Sequence, residues 1–98
     1  MSINTVQEQN ERERFPLLSD TNINTILLNG AHTSLSCLKR AQSYDERLFF
    51  YAEIGVFLEV SLSRGAGITD ETRDRLESMH RKATYVLMEA NKAARVSA

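Results

Sequence analysis

Apolar residues are densest between Leu48 and Leu62, a run that reads Leu-Phe-Phe-Tyr-Ala-Glu-Ile-Gly-Val-Phe-Leu-Glu-Val-Ser-Leu. At the roughly 100° per residue of an α-helix, Phe50, Ile54 and Phe57 fall on one stripe. Leu48, Tyr51, Leu58 and Leu62 fall on a second, and Phe49, Val56 and Val60 on a third. A surface helix ordinarily carries one such stripe, so a helix apolar on three sides must be covered from several directions. Its limits are marked locally. Ser43 and Glu46 have the spacing of a capping box, and Gly65 stands past the last apolar residue, where a helix commonly ends in a left-handed residue. The pattern predicts a helix over about 45–63. That length is some five turns, and Glu53 and Glu59 interrupt it, whereas a membrane span needs about 20 apolar residues. The expected cover is therefore protein and not lipid.

Helical spacing recurs on both sides of this run. Upstream, Ile23, Leu27, Leu28, Ala31, Leu35, Leu38 and Ala41 recur at helical spacing, predicting a helix over about 20–42 with Ser19 or Asp20 as N-cap. Gly30 sits inside it, where glycine costs about 1 kcal/mol relative to alanine. An antiparallel hairpin turning at Ser43-Tyr44 sets Gly30 level with Phe57, and a glycine opposite a phenylalanine predicts close packing. Downstream, Arg64-Gly65-Ala66-Gly67 reads as a turn, and Thr69 as the cap of a third helix over about 70–94, with Asp70 and Glu71 where the dipole favours acids. Thr72, Leu76, Met79, Ala83, Val86, Ala90 and Ala93 form its seam, in alternating steps of four and three.

The fold class that follows is all-α, three helices with the apolar second helix in the middle, completed by oligomerisation. Two neighbouring helices cover two sides of the second helix. The third side then calls for another subunit, most simply in a homodimer. Residues 1–14 are polar, mixed in charge and without period, which predicts a flexible N-terminal arm. Residues 15–98 are expected to form the single helical domain, with Phe15-Pro16-Leu17-Leu18 folding back over the core or serving as a short docking motif.

Composition narrows the chemistry. The chain has 98 residues, 12 basic and 13 acidic, for a net charge of −1. That balance speaks against a dedicated nucleic-acid binder, and Asp45 and Glu46 interrupt the only basic cluster, Lys39, Arg40 and Arg47 with Arg81 and Lys82. A lone Cys37 excludes an internal disulfide and suits a packing residue better than a nucleophile. The opening Met-Ser-Ile-Asn-Thr-Val-Gln lacks the apolar centre of a signal peptide, so a cytoplasmic location is expected.

One constellation resembles a metal-binding pattern. Glu77 and His80 have the Glu-x-x-His spacing of di-iron bundles, and a hairpin about residues 66 and 67 sets Glu53 level with His80. Against it, Glu77 lies about 160° around the helix from the inward Met79. The expectation is no metal and no cofactor. His32 has no partner identifiable from the sequence. Tyr44, Tyr51 and Tyr85 fit core or interface positions.

With no catalytic fingerprint, the leading expectation is a non-enzymatic helical interaction protein, a regulator, inhibitor or chaperone-like adaptor. It would act through protein contacts, with itself and with a protein partner. Gly30, Phe49, Phe50, Ile54, Phe57, Leu58, Met79, Ala83 and Val86 are its expected interface and packing residues. The alternatives are a protein that sequesters a small anionic ligand between subunits, a metal-binding helical bundle, and a DNA-binding regulator.

Overall fold

The computed structural model describes residues 22–97. The expected N-terminal arm and the Phe15–Leu18 segment lie outside them. Three helices follow one another: α1, Ile23–Arg40; α2, Tyr44–Ser61; and α3, Asp70–Ser97. Each packs against both of the others. The three helices thus form a triangle.

The helix ends differ from the expected ones for local reasons. Ser19 and Asp20 lie outside the described residues, and Asn22 caps α1, its side-chain oxygen accepting the Asn24 N–H at 2.8 Å. The chain leaves α1 early because Ala41 is extended, with φ −64° and ψ 143°. Ser43 can then cap α2, its hydroxyl oxygen accepting the Glu46 N–H at 3.1 Å. Gly65 does not end α2. Leu62 is the C-cap, and Gly65, with φ 77°, lies further along the turn. Thr69 caps α3 as expected, accepting the Thr72 N–H at 3.1 Å. No breaker follows Ala94, and α3 continues to Ser97.

The buried core is drawn mainly from α1 and α3. Leu27, Ala31, Leu35 and Leu38 come from α1, and Leu76, Met79 and Ala83 from α3. From α2 only Ile54 and Ser61 are fully withdrawn from water, while Phe50, Tyr51, Phe57 and Leu58 pack against the core half-buried. Burying a large aliphatic side chain is worth about 1.5–3 kcal/mol, so the α1–α3 stripes supply most of the driving force.

At Gly30 α1 and α2 pack tightly. A Cβ built there would lie 2.7 Å from Cζ of Phe57 and 2.9 Å from one Cε. The ring occupies the volume that any other residue's side chain would fill, which accounts for a helix-weakening residue in mid-helix. Nearby, the buried Ser34 hydroxyl donates to the Glu53 carboxylate at 2.7 Å. On the other side of α2, the Thr84 hydroxyl donates its proton to the His80 carbonyl at 3.0 Å. The Tyr51 hydroxyl, 2.9 Å from Thr84 Oγ1, must then be the donor of that pair.

The loop from α2 to α3 is held from two sides. The Asn24 amide donates to the Gly67 carbonyl at 3.1 Å, and its oxygen accepts the Thr69 N–H at 2.9 Å. Ile68 inserts into the core between these two anchors. Arg73 donates to the Ser61 carbonyl at 3.2 Å while pairing with Asp70 at 2.6 Å. This places a cation at the C-terminus of α2, which has no basic residue in its own last turn.

The Gly30 contact predicts an asymmetry. Gly30→Leu should overpack against Phe57 and cost about 1–3 kcal/mol, lowering Tm by some 4–8 °C per kcal/mol for a domain of this size. Gly30→Ala should be milder, because better helix propensity offsets part of the clash. Thermal melts of the two variants check this, and an unchanged Tm for Gly30→Leu would show that the ring moves aside freely.

Candidate functional site

The residues expected to form interface and packing separate into two groups. Ile54, Met79 and Ala83 are buried, Phe50, Phe57, Leu58 and Val86 are half-buried against them, and Gly30 lies under the Phe57 ring. These residues hold the monomer together. Phe49 differs: it is 59% exposed, with its ring edge-on to that of Phe50 at 5.2 Å between centroids.

Phe49 belongs to the third stripe of α2, which is exposed at each of its three positions. Val56 on that stripe is 56% exposed and Val60 40%. Ala52 lies between them and Leu48 beside them, both also exposed. Along the helix, Asp45, Phe49, Ala52, Val56 and Glu59 follow in steps of four and three, the spacing of a seam that a facing helix can fill. The rim of this face is acidic. Asp45, Glu46 and Glu59 are exposed and Glu53 is half-buried, while Arg47, the only base of α2, is turned inward and half-buried. The face is therefore an apolar strip about three turns long, edged by carboxylates.

The metal constellation does not assemble. Glu53 is engaged by Ser34 on the α1 side. Glu77 is exposed and accepts from Arg81 at 3.1 Å one turn away. His80 packs on the α3 side of α2, its ring 5.1 Å from that of Tyr51 and its Nε2 3.8 Å from a Cβ built on Gly55. Among the described residues no group of three or more His, Cys, Asp or Glu side chains could hold a metal ion. Glu53 thus faces α1, while His80 lies against Tyr51 and Gly55 on the α3 side of α2.

The remaining candidates are also dispersed. Cys37 is half-buried, with an Arg40 guanidinium nitrogen 3.9 Å from its sulfur. His32 is exposed. The basic cluster is divided, since Arg47 points inward and Arg81 is paired with Glu77. Arg47 lines an open groove with Tyr44, Asn91 and Arg95 where α2 begins and α3 runs on. Among the described residues its buried Nε has no hydrogen-bond partner. No helix among the described residues is long and apolar enough to cross a membrane.

Asn24, Ile68 and Arg73 were not singled out in the sequence. Ile68 had a readable signal, a single large apolar residue between a turn glycine and a helix cap. The partners of Asn24 lie 43 and 45 residues away and leave no local trace. Comparison with known protein families, with curated proteins and with solved structures finds no match to this chain.

The positions of Phe57 and His80 give a direct contrast. Phe57→Ala should cost about 3 kcal/mol, the lower end of the range for buried phenylalanine, because its ring is half-buried over Gly30. His80→Ala removes one aromatic contact and should cost about 1 kcal/mol. Urea unfolding followed by circular dichroism measures both, and a larger loss for His80→Ala would reverse the assignment of packing roles.

Proposed function

We propose that this chain is a non-enzymatic interaction protein that associates through the outer face of α2 and acts as a homo-oligomer whose smallest form is a dimer. The supporting observation is the strip of Phe49, Val56 and Val60, all 40% exposed or more on the most apolar helix. Water contact at these positions costs free energy that association recovers, at roughly 25 cal/mol per Å² of apolar area removed. A small regulator, inhibitor or adaptor needs such a face and no reactive groups. The charged edge adds selectivity, since carboxylates beside an apolar strip reject other acidic surfaces.

A second reading rests on an observation of its own. A buried guanidinium N–H without an acceptor costs about 1–3 kcal/mol or more, and Arg47 carries one beside a groove shared with Arg95, Asn91 and Tyr44. Two guanidinium groups, an amide and a phenol make a suitable lining for a small phosphate or carboxylate ligand. In this reading the chain sequesters an anionic ligand. Calorimetric titration with inorganic phosphate should then give saturable heat that Arg47→Met abolishes. Heat that is absent, or unchanged by Arg47→Met, rejects the ligand reading.

For the leading reading, Val56→Glu places a charge in the middle of the strip. Light scattering should give the wild-type chain a mass above the 11.1 kDa of one copy, and the variant a mass of 11.1 kDa. Because Val56 is exposed, the variant should melt as an intact helical domain. A single-copy mass for the wild type at micromolar concentration, or an unchanged mass for Val56→Glu, would refute association through this face.

A further inference from the structure

A second seam lies on the far side of α3. Arg81, Tyr85, Met88, Lys92 and Arg95 follow in steps of four and three, the same alternation as Asp45, Phe49, Ala52, Val56 and Glu59 on α2. Each row runs over five positions, or about 21 Å of helix. Tyr85 is 66% exposed and Met88 62%. Lys92 and Arg95 are exposed around them, as are Arg81, which pairs with Glu77 on its own helix, and Glu89 beside Met88, so the excess of bases is greatest at the C-terminal end. The α3 seam is therefore an apolar centre with basic ends, and the α2 seam an apolar centre with acidic ends.

Charge decides between the two ways in which copies can meet. If α2 packs on α2 of a second copy about a twofold axis, the carboxylates of Asp45, Glu46, Glu53 and Glu59 are crowded against their own equivalents. Arg47 gives no relief, being turned inward. Like charges brought together at an interface oppose it. If α2 packs on α3 of a second copy, acids at both ends of one seam meet bases at both ends of the other. This holds whether the helices run parallel or antiparallel. Ala52 at the centre of the α2 seam leaves room for the bulk of Tyr85 or Met88.

We infer that the occupant of the α2 outer face is the Arg81–Tyr85–Met88–Lys92–Arg95 seam of a second copy of this chain, in a head-to-tail contact. This deepens the proposed association through α2 and rests on it. A head-to-tail contact uses two different patches, so a pair of copies still keeps one of each free. Assembly then continues to a ring or an open chain rather than stopping at a symmetric pair. The mass of the wild-type protein should rise with concentration beyond two copies. It should fall when salt screens the acid–base ends, because the Debye length shortens from about 10 Å at 0.1 M to about 3 Å at 1 M.

Two variants test the contact. Val56→Glu disables the α2 face, and a double variant, Tyr85→Glu with Met88→Glu, disables the α3 face. All three positions are exposed, and circular dichroism checks that each protein is folded. Alone, each variant should have the 11.1 kDa mass of a single chain in light scattering. Mixed in equal amounts, they should form a one-to-one pair and no larger species, because each supplies the face that the other has lost. If the double variant keeps the wild-type mass while Val56→Glu is monomeric, α2 pairs with α2, and the head-to-tail inference falls while the proposed association stands. If both variants are monomeric but the mixture forms no pair, the head-to-tail contact is likewise overturned. If Val56→Glu keeps the wild-type mass, or the wild type is itself a single chain, the association through α2 falls and this inference with it.

Discussion

A helix in a triangle of three touches two neighbours and can bury only part of its circumference, yet α2 is apolar around almost all of it. The hydrophobic effect has no direction, so it cannot by itself choose which stripes of α2 turn inward. Directional contacts make that choice. The Ser34–Glu53 hydrogen bond fixes one side of α2 against α1, and the Tyr51–Thr84 hydrogen bond fixes the other side against α3. Between these bonds the Phe57 ring fits over Gly30, and Ile54 is carried fully into the core. With that rotation set, Phe49, Val56 and Val60 are left facing water. The exposed strip is thus the remainder of a helix whose orientation was decided by polar and steric partners.

The same logic explains how much could be read from the sequence. The three helices were legible because each carries apolar residues at helical spacing, and Ser43 and Thr69 are efficient N-caps wherever they precede such a run. The pairing of residue 30 with residue 57 followed from counting back from a short turn, and the ring lies there. What a periodic pattern does not carry is the winner among equivalent faces. Three stripes were visible on α2, and a central position for that helix was the natural expectation. In the triangle every helix touches both others, and the fully buried apolar residues come mostly from α1 and α3. The Glu53, Glu77 and His80 grouping failed for a related reason: axial level is set by the hairpin, but direction around each helix is set by packing.

The loop between α2 and α3 shows a second limit. Gly65 and Gly67 both have positive φ and both announce a turn. Neither reveals that Ile68 would be buried or that Asn24 would hold the backbone on either side of it. Arg73 is similar. Its sequence spacing from Asp70 predicts a surface ion pair of little worth, but its second nitrogen reaches a carbonyl at the end of another helix. Interactions of this kind join elements distant in the chain, and local composition records only one partner of each.

The Gly30–Phe57 contact also bears on how the sequence can change over time. A larger residue at 30 meets the ring, and a smaller one at 57 leaves a gap above the glycine, so each single change is costly. A change at both sites, adding volume on α1 while removing it from α2, keeps the total nearly constant. Such pairs are crossed only through a less stable intermediate. The cost of that intermediate must be met from the stability of the rest of the bundle, which for a domain this small totals only about 5–15 kcal/mol. Drift at residues 30 and 57 is therefore coupled, and the two positions should be exchanged together or retained together in any lineage that keeps this packing.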